Sequence, residues 1–581
     1  MSPLNARHHR KLTDLKNMRS YSKWNIAQDS SYDSLIDAIL AVRGLCREDL
    51  EVGPETLHDP MLLKDMDRAV ERIAQAIQKS EMILVFGDYD VDGVSSTALM
   101  ADFLETVGCD FVCVLPDRHK DGYGLKPRAV ERAVALGVDL IITVDNGISA
   151  FDGLEFAKKS GVDVVVTDHH KQLEFLPDAE AVVNPNRLDC SYPFKGLAGV
   201  GVAFKVVQVL SEKFISLEKR RGYLNNLLDL VALGTIADIA TVFGENRVLI
   251  RRGLQILKNT NRLGLDKLKI VAGVSNKDIN TTVVGYQISP RLNVAGRMGS
   301  PDIALSLLCA NTEEKALAFA KELNDLNLRR QDLQTKAMEE ADELVNCTML
   351  EQDRLLVLLG GWSQGIIGII AGKLRDKYMR PVVVCTWDSK KGYYVGSARS
   401  FDWYDISGAI GRCKDYLSNF GGHVQAAGLT LRRECFEDFR RELINHARQN
   451  IAKEQMRGEL NIDVELTSHH LNRTSIRGLA ELEPFGKDNE TPTYAMFGCR
   501  VISRKLIGRD HNHLKMELEK GEKRCVALWW NRGEIYDEVQ IGQYVSVAFV
   551  LEEDSYRGRE AVQMVLKDMF LEKKEDQNDK Q

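Results

Sequence analysis

Three carboxylates stand at alternate positions directly after the apolar run MILVF. They are Asp88, Asp90 and Asp92. In extended backbone, side chains at alternate positions point to the same side, so we expect the three to lie together. Carboxylates this close repel one another and raise each other's pKa unless a cation lies among them. The triplet predicts either a site for a divalent metal ion or a solvated acidic turn.

The same segment matches the start of a calcium-binding EF-hand loop. Such a loop needs a glutamate at its twelfth position and a helix before its first. Counted from Asp88, the twelfth position is Leu99, and a strand pattern precedes the segment. These two departures exclude an EF-hand.

Two further strand patterns also end in residues with metal-binding chemistry. The run DLIITV leads into Asp145, and VDVVVT leads into Asp168, His169 and His170. The carboxyl ends of parallel strands meet at one edge of a sheet, where ligands bind. A chance gathering of so many carboxylates and imidazoles at one edge is improbable. The three strand ends therefore favour a metal site over an acidic turn.

The types of donor atom indicate which metal ions the site would prefer. A further carboxylate, Asp238, follows the apolar residues of LVALGTIADIA, where a buried charge is costly without a cation. Carboxylate oxygens with one or two imidazoles, and no thiolate, fit Mn²⁺ or Mg²⁺ better than structural zinc. The candidate ligands outnumber the positions of one octahedral ion. We expect two ions, the arrangement used for phosphoryl transfer.

The elements that position these residues alternate between strand and helix from about residue 56 to 190. Such alternation predicts an α/β fold with a parallel sheet and helices on both faces. A long helix follows over NTEEKALAFAKELNDLNLRRQDLQTKAMEEADELV, and a second α/β domain comes after it. Five short β patterns near the C-terminus suit a small OB-like barrel.

Composition excludes several classes of protein. Hydrophobic residues make up 44% and charged residues 28% of 581 residues, which is ordinary globular composition and length for three or four domains. No apolar run is long enough to span a bilayer, and the basic N-terminus lacks the apolar region of a signal peptide, so a cytoplasmic protein is expected. The eleven cysteines include no C-x-x-C pair. The net charge of −7 requires any nucleic-acid contact to use a local basic patch.

The strings GDYDVDG, VDNG, TDHH and GTIADIA, in this order, resemble the DHH phosphoesterase family. Downstream, GGHVQAAG resembles the glycine-rich signature of the DHH-associated domain. The motifs and the OB-like barrel span about residues 75 to 570, and their order is similar to the family's exonucleases specific for single strands. One departure is Ser363 after the tryptophan of GGWSQGIIGIIA, where the family often has histidine.

The patterns along the chain, named with the help of the resemblance, predict the following domains: 1–55, an N-terminal extension; 56–310, the DHH phosphoesterase domain; 311–350, the connecting helix; 351–455, the DHH-associated α/β domain; 460–570, the OB-like nucleic-acid-binding domain; and 571–581, a disordered tail.

The resemblance also implies roles at the metal site. Asp145 would bridge the ions, His169 would ligate, Asp168 would orient an imidazole from behind the ligands, and His170 would face the scissile phosphate. The implied catalytic set is Asp90, Asp92, Asp145, His169, His170 and Asp238. The implied metal ligands are Asp88, Asp90, Asp92, Asp145, His169 and Asp238.

Two groups of residues are implied to contact substrate phosphates. Glycines in the second group would let backbone N–H groups approach a phosphate closely, and this group is expected to grip the 5′ end. Arg291, Asn293 and Arg297 of ISPRLNVAGR form the first group, and Ser397, Arg399, Gly421, Gly422 and His423 form the second.

The barrel carries basic residues among Phe497, Trp529, Trp530 and Tyr556, a composition typical of single-strand binding by charge and stacking. Neighbouring strand residues face opposite ways, so at least one of the two tryptophans must belong to the core. The basic residues are Arg500, Arg504, Lys505, Arg509, Lys515 and Arg524.

The implied activity is a 5′-to-3′ exonuclease on single-stranded DNA that releases 5′-mononucleotides in DNA repair and recombination. A helicase and a single-strand-binding protein are its implied partners, and a monomer is expected. One alternative is a phosphodiesterase for short oligonucleotides or cyclic dinucleotides, or a pyrophosphatase, which would not need the barrel. Another is an inert replication scaffold, which would have no reason to cluster carboxylates.

Overall fold

The computed structural model describes residues 21, 23–27, 34–51, 53–117, 121, 122, 124–553 and 562–572. These residues form two compact units. The parallel-sheet unit comprises Glu48–Gln331 and Glu483–Glu490. The barrel unit comprises the rest, and strand β1 (Lys23–Ile26) and helix α1 (Leu35–Arg43) are its first elements. Most of the predicted tail and the first twenty residues of the N-terminal extension lie outside the described residues.

Five parallel strands form the sheet of the parallel-sheet unit. They are β2 (Ile83–Phe86), β3 (Phe111–Val114), β4 (Leu140–Val144), β5 (Asp163–Thr167) and β6 (Ala181–Val183). Their order across the sheet is β3-β2-β4-β5-β6, and every pairing is parallel. The chain therefore leaves β2 in one direction and returns on its other side as β4. In such sheets ligands bind beyond the carboxyl ends of the strands at this switch point.

Both faces of this sheet are covered, which explains why its strands are apolar throughout. Ile83 and Val85 belong to the core on one face, whereas Leu84 and Phe86 belong to the core on the other. Alternate residues of a strand point to opposite faces, so a strand between two helical layers needs apolar residues at every position.

The helices of this unit include amphipathic surface helices and almost wholly apolar ones, such as the buried segment before Asp238. They are α2 (Met66–Lys79), α3 (Val91–Thr106), α4 (Pro127–Ala135), α5 (Phe151–Lys159), α6 (Gly199–Phe214), α7 (Leu217–Asn226), α8 (Leu228–Ala237), α9 (Glu245–Lys258) and α10 (Leu263–Val271). Short helices follow: α11 (Thr281–Val283), a π-helical turn (Val284–Ile288), α12 (Ser289–Asn293), α13 (Ala295–Met298) and α14 (Asp302–Leu308).

A buried ion pair fixes α6 to α9. The Lys205 ammonium lies 2.6 Å from a Glu245 carboxylate oxygen, and neither side chain is exposed. Glu245 also accepts hydrogen bonds from the Tyr192 hydroxyl at 2.6 Å and the His58 backbone N–H at 2.7 Å. A buried ion pair is tolerated only when further hydrogen bonds satisfy both partners, as they do here.

The long helix predicted from the sequence is α15 (Glu313–Leu344), and the short α16 (Cys347–Gln352) follows it. Its first residues belong to the parallel-sheet unit and the remainder, from Asp332 on, to the barrel unit.

The barrel unit contains a second α/β layer. Its sheet has the order β10-β11-β9-β8-β7, in which only β7 and β8 pair in parallel. The strands are β7 (Leu356–Gly360), β8 (Val382–Asp388), β9 (Tyr393–Arg399), β10 (Leu417–His423) and β11 (Ala426–Leu431). The helices packed with it are α17 (Gln364–Tyr378), α18 (Ile406–Arg412) and α19 (Phe436–Asn450).

A closed five-stranded barrel completes the barrel unit. It closes because β14 pairs with both β15 and β17. The elements are β12 (Glu459–Ile462), β13 (Val464–Glu465), α20 (Arg473–Leu479), β14 (Tyr494–Ile507), β15 (His513–Lys520), β16 (Lys523–Trp529), β17 (Tyr544–Glu553) and β18 (Val562–Leu571). The predicted fold class, α/β layers followed by an OB-like β-barrel, is confirmed.

Strand β1 is tied to the C-terminal part of the chain. It pairs in parallel with β12, and the Trp24 indole N–H donates to the Asp568 carboxylate at 2.7 Å. The indole ring also packs edge-on against Phe570 at 4.9 Å between ring centroids. The described part of the N-terminal extension up to Arg47 therefore belongs to the barrel unit, and its residues from Glu48 on belong to the parallel-sheet unit.

Among the described residues, no helix combines the length and the apolar character that crossing a bilayer requires.

We predict that Glu245→Ala lowers the free energy of unfolding of the parallel-sheet unit by about 3–5 kcal/mol, because it leaves the buried Lys205 ammonium uncompensated. Urea unfolding of the two proteins measures the difference. The matched control is Asp278→Ala, which breaks the exposed ion pair between Asp278 and Lys258. Lys258 lies on the same helix as Glu245, and loss of this exposed pair should leave the free energy of unfolding unchanged. Equal effects of the two substitutions would contradict the structural role of the buried pair.

Candidate metal centre

The first acidic motif does not stay extended. Strand β2 ends at Phe86 and helix α3 begins at Val91, so Asp90 is the N-cap and accepts a hydrogen bond from the Gly93 N–H at 3.0 Å. Asp92 lies in the first helical turn. The expectation that the three carboxylates share one side of an extended segment is therefore wrong. An aspartate that caps a helix starts the turn, and successive helical residues point in different directions.

Asp92 is held by the start of another helix. Its two carboxylate oxygens accept hydrogen bonds from the backbone N–H groups of Gly199 at 2.7 Å and Val200 at 2.9 Å, at the first turn of α6. The positive end of the helix dipole favours a carboxylate there. Position 199 must be glycine, because a Cβ atom would lie 2.5 Å from the Cβ of Asp145.

Asp145 follows β4 directly and is 2% exposed. Its φ of 61° is left-handed, a conformation that costs an L-residue about 1–2 kcal/mol. Its N–H still donates to the Thr167 carbonyl at 3.0 Å, which continues the β4–β5 pairing past the end of the strand. Strained backbone of this kind clusters at functional sites.

Asp168 follows β5 and is fully buried. Its Oδ1 atom accepts hydrogen bonds from the N–H groups of His169 at 2.7 Å and His170 at 3.0 Å, and its Oδ2 atom accepts from the Ile148 N–H at 2.9 Å. The Nδ1 atom of His170 also donates to Oδ1, at 2.8 Å. Asp168 therefore orients the imidazole of His170 rather than that of His169.

His169 points into the group of carboxylates. Its Nε2 atom lies 3.1 Å from Asp145 Oδ1 and 3.9 Å from Asp92 Oδ2, and its Nδ1 atom lies 3.9 Å from Asp238 Oδ2. His169 Nε2 and Asp145 Oδ1 are both buried, and although they lie 3.1 Å apart, neither makes a hydrogen bond of suitable geometry with the other or with another described residue. Buried polar atoms without partners require an explanation. A metal ion between them would satisfy both.

The possible ligand atoms form three overlapping groups, each with its atoms within 4.8 Å of one another. Asp145 and His169 each belong to two of them, which is the geometry that neighbouring ions with a shared ligand need. The oxygen-rich donor set, with few imidazoles, fits Mn²⁺ or Mg²⁺. The groups are Asp145, His169 and His170; Asp92, His169 and Asp238; and Asp88, Asp90 and Asp145.

In the metal-free protein, the surroundings of the buried carboxyl groups disfavour their ionisation. Burial, together with neighbouring carboxylates, raises the pKa of Asp92 and of Asp145 well above its usual value. Burial and Asp90 raise the pKa of Asp238 to about 7. Burial lowers the pKa of His169 to about 4, so this imidazole is neutral and able to ligate.

His170 differs from its neighbour. Burial lowers its pKa, but the hydrogen bond and charge of Asp168 outweigh burial and raise the pKa to about 9. The same hydrogen bond keeps Asp168 ionised, since its pKa is lowered although burial acts to raise it. The His170–Asp168 pair therefore carries a proton at neutral pH, whereas His169 does not.

The first group of predicted phosphate contacts lies beside the acidic motif. The segment ISPRLNVAGR forms helices α12 and α13 instead of a loop, and a Cβ at Gly296 would lie 2.7 Å from the Tyr89 carbonyl oxygen. Arg291 donates to Asn324 at 3.1 Å and to the Gln287 carbonyl, and it is half-buried. Asn293 and Arg297 are half-buried on the same two helices.

The second group lies in the barrel unit, on neighbouring strands of the mixed sheet. In the register of the sheet, Ser397 and Gly421 lie opposite the same residue of the intervening strand β11, and so do Arg399 and His423. Residues opposite each other in antiparallel strands share a face, so all these positions share one face. Arg399 donates to the Ser397 hydroxyl at 3.1 Å, and Gly422 follows Gly421 on the exposed strand β10. The structure thus brings the five predicted residues together.

The two barrel tryptophans differ as expected. Trp529 is 3% exposed and lies under the Arg532 guanidinium, 4.6 Å from the ring centroid. Trp530 is 47% exposed and packs edge-on against His513. The predicted contact Tyr556 lies outside the described residues.

Sequence reasoning missed several supports of the centre. The side-chain amides of Asn184 and Asn186 donate to the carbonyls of His170 at 2.9 Å and His169 at 2.5 Å. The string NPN directly after a buried strand was the available signal. The segment Glu483–Glu490 was also missed, because it reaches this unit from a distant part of the chain.

Three models of known families match successive segments of the chain, the first in the parallel-sheet unit and the other two mainly in the barrel unit. Residues 82–235 match the DHH family, N-terminal domain; residues 352–450 match the DHHA1 domain; and residues 462–568 match the RecJ OB domain.

Whole-length relatives decide the family. The chain is 34% identical over 559 residues to the single-stranded-DNA-specific exonuclease RecJ of Haemophilus influenzae, covering 93% of this chain and 97% of that protein. The chain belongs to the RecJ family. RecJ of Bacillus subtilis is 35% identical over 92% of this chain and 67% of its own length.

Solved RecJ structures have the same architecture. RecJ from Thermus thermophilus in complex with Mn²⁺ matches with a TM-score of 0.79 and 27% identity, over 95% of this chain and 80% of that one. The complex of the same protein with Mg²⁺ matches with a TM-score of 0.73 and 26% identity, over 95% and 79%.

We predict that Asp145→Asn stabilises the metal-free protein and abolishes its stabilisation by Mn²⁺. Asparagine tolerates left-handed backbone and carries no charge, so the substitution should raise the free energy of unfolding at pH 8 by at least about 1 kcal/mol. Thermal unfolding with EDTA and with Mn²⁺ measures both effects. Asp139→Asn, at the opposite end of β4, is the control and should respond to Mn²⁺ as the unchanged protein does. Full stabilisation of Asp145→Asn by Mn²⁺ would contradict the site.

We also predict that Mn²⁺ affinity rises as pH increases through about 7, the pKa of Asp238 in the metal-free protein. Carboxyl groups with a raised pKa hold protons that the metal must displace, so binding releases protons below that pH. Calorimetry in buffers of different protonation enthalpy should show more protons released at pH 6.5 than at pH 8. Asp238→Asn should reduce this difference, and pH-independent binding would contradict the assignment.

Proposed function

We propose that this chain is an exonuclease specific for single-stranded DNA that degrades in the 5′-to-3′ direction and releases 5′-mononucleotides with two Mn²⁺ or Mg²⁺ ions. The observation that carries the proposal is the pair of buried atoms, His169 Nε2 and Asp145 Oδ1, neither of which makes a hydrogen bond among the described residues. RecJ relatives at 34–35% identity, named as exonucleases specific for single-stranded DNA, and solved RecJ structures in complex with Mn²⁺ and Mg²⁺ support the proposal. The same proposal assigns its role to DNA repair and recombination.

The residues that would hold the ions are the members of the three overlapping groups other than His170, with Asp145 shared: Asp88, Asp90, Asp92, Asp145, His169 and Asp238. Bound ions would lower the pKa of the attacking water and neutralise charge on the phosphate. The protein supplies the positions: N–H groups at the start of α6 fix Asp92, and the left-handed backbone fixes Asp145. These groups are held before substrate arrives, which is the preorganisation that favours catalysis.

His170 has the chemistry to contact the scissile phosphate. Asp168 engages its Nδ1 atom and fixes the orientation of the ring. Because Asp168 raises the pKa of His170 to about 9, the imidazole is protonated at neutral pH. A protonated imidazole donates a charge-assisted hydrogen bond to a phosphate oxygen.

The mixed sheet of the barrel unit is proposed to hold the 5′ end. Ser397 and Arg399 offer a hydroxyl and a guanidinium, and the exposed glycines of β10 offer backbone without side chains. Arg291, Asn293 and Arg297 are proposed to contact phosphates nearer the metal centre. On the barrel, exposed Trp530 among basic residues suits base stacking without sequence preference.

The proposal extends to the surroundings of the enzyme. A monomer in the cytoplasm would consume strands that a helicase separates and a single-strand-binding protein covers. Support for these assignments comes from the family alone.

We predict that, with Mn²⁺, a single strand labelled at its 5′ end releases the label at once as mononucleotide, whereas a 3′ label stays in shortening fragments. Denaturing gels of timed digests measure both, and a blunt duplex should survive. Asp145→Asn should lose at least about 10³-fold in rate, since it removes a shared ligand, while Asp139→Asn should retain full activity. Survival of long strands with hydrolysis of dinucleotides would indicate a small-substrate phosphodiesterase instead.

A further inference from the structure

The segment Glu483–Glu490, which we call the returning segment, belongs to the parallel-sheet unit although the residues on both sides of it belong to the barrel unit. It is held by the loop that follows Asp238. Thr241 and Lys487 form a parallel bridge, and the Val242 N–H donates to the Lys487 carbonyl at 3.2 Å. The chain thus places a remote lysine opposite a residue only three positions beyond a candidate metal ligand.

The returning segment has a fixed shape of its own. Gly486 and Asn489 exchange backbone hydrogen bonds of 2.9 and 3.2 Å, and the Asn489 side chain donates to the Pro484 carbonyl at 2.9 Å. Asn489 is 1% exposed. The segment also fits closely against the loop, since a Cβ at Gly486 would lie 2.6 Å from a methyl carbon of Val242. These contacts therefore hold the backbone at Lys487 in a defined conformation.

The Lys487 side chain is exposed, and its backbone pairs with Thr241, three residues beyond Asp238. The flexible four-carbon stem of a lysine lets its ammonium reach toward the carboxylates of the centre.

Among the described residues, the Lys487 ammonium makes no contact that would stabilise the fold. It forms no ion pair within 4.0 Å and no side-chain hydrogen bond there, and the neighbouring acidic residues Asp488 and Glu490 are exposed. A surface lysine is often only solvated. A lysine that is only solvated, however, does not require a backbone held by so many contacts. It also does not require a position beside an acidic centre, where its charge repels the metal ions.

We propose that Lys487 binds a backbone phosphate of the single strand close to the scissile bond, as a substrate-binding residue supplied to the metal centre by the returning segment. The inference rests on the proposed function. An ammonium on a flexible stem suits a phosphate as a point charge and reads no base. It would draw the anionic strand toward a centre that otherwise presents carboxylates.

The experiment combines a change in the protein with a change in the substrate. Lys487→Met, Lys487→Arg and the control Lys213→Met are compared for release of the first nucleotide from single strands that are fully charged or carry one neutral methylphosphonate at the second, third or fourth phosphodiester, so that the scissile bond stays unchanged. Lys213 is an exposed lysine at the far end of α6, about 20 Å along the helix from Gly199. The measured quantities are kcat/KM and the Mn²⁺ concentration for half-maximal activity.

We expect Lys487→Met to lose about 10-fold or more in kcat/KM on charged strands, the size expected for a charge-assisted hydrogen bond, with Lys487→Arg recovering most of it. On one of the methylphosphonate strands the loss should vanish, because the partner of Lys487 is already neutral. The Mn²⁺ concentration for half-maximal activity should not rise, because removing a cation near the centre does not weaken metal binding, and Lys213→Met should match the unchanged protein.

Three results would overturn the inference: a Lys487→Met activity within about twofold of the unchanged protein, an undiminished loss on all three neutral-phosphate strands, or a changed Mn²⁺ requirement that accounts for the loss. Failure of the unchanged protein to digest any single strand would instead overturn the proposed function. The two failures are therefore distinguishable.

Discussion

The metal centre depends on one constraint: several buried carboxylates must stay close together although they repel one another. Backbone N–H groups make this possible. The start of α6 donates two of them to Asp92, the first turn of α3 donates one to Asp90, and Ile148 donates one to Asp168. Such donors belong to the folded backbone and cannot move away when the charge changes. The acidic centre is therefore a property of the fold rather than of flexible side chains.

The core of the parallel-sheet unit maintains this arrangement from a distance. Helix α6 begins at the centre and carries Lys205 about 1.7 turns later, where it pairs with Glu245 at the start of α9. The pair fixes the position of α6 along its axis, and with it the two N–H groups that hold Asp92. A costly buried ion pair thus has a positional role that an apolar contact, which allows sliding, would fill less well.

The sequence predicted the fold class and the edge of the sheet that bears the site, because strand ends are visible as apolar runs that stop at polar residues. Asp145, Asp168 and His169 follow such runs. The sequence did not predict how the first motif divides, since the change from strand to helix occurs at Asp90 and both conformations fit the string. The position of Lys487 could not be predicted for a different reason. Its segment has the composition of a linker, and no hydrophobic pattern in it indicates that it folds back toward the loop that follows Asp238.

The hydrogen bond between Trp24 and Asp568 joins residues that are 544 positions apart in the chain. During synthesis at about 5–20 residues per second, Trp24 leaves the ribosome roughly half a minute to two minutes before its partner exists. For that time β1 exposes an indole and an unpaired strand edge, the surface that chaperones recognise and that drives misassembly. The barrel unit therefore reaches its final form only after Asp568 has been synthesised, whereas most of the parallel-sheet unit can fold earlier.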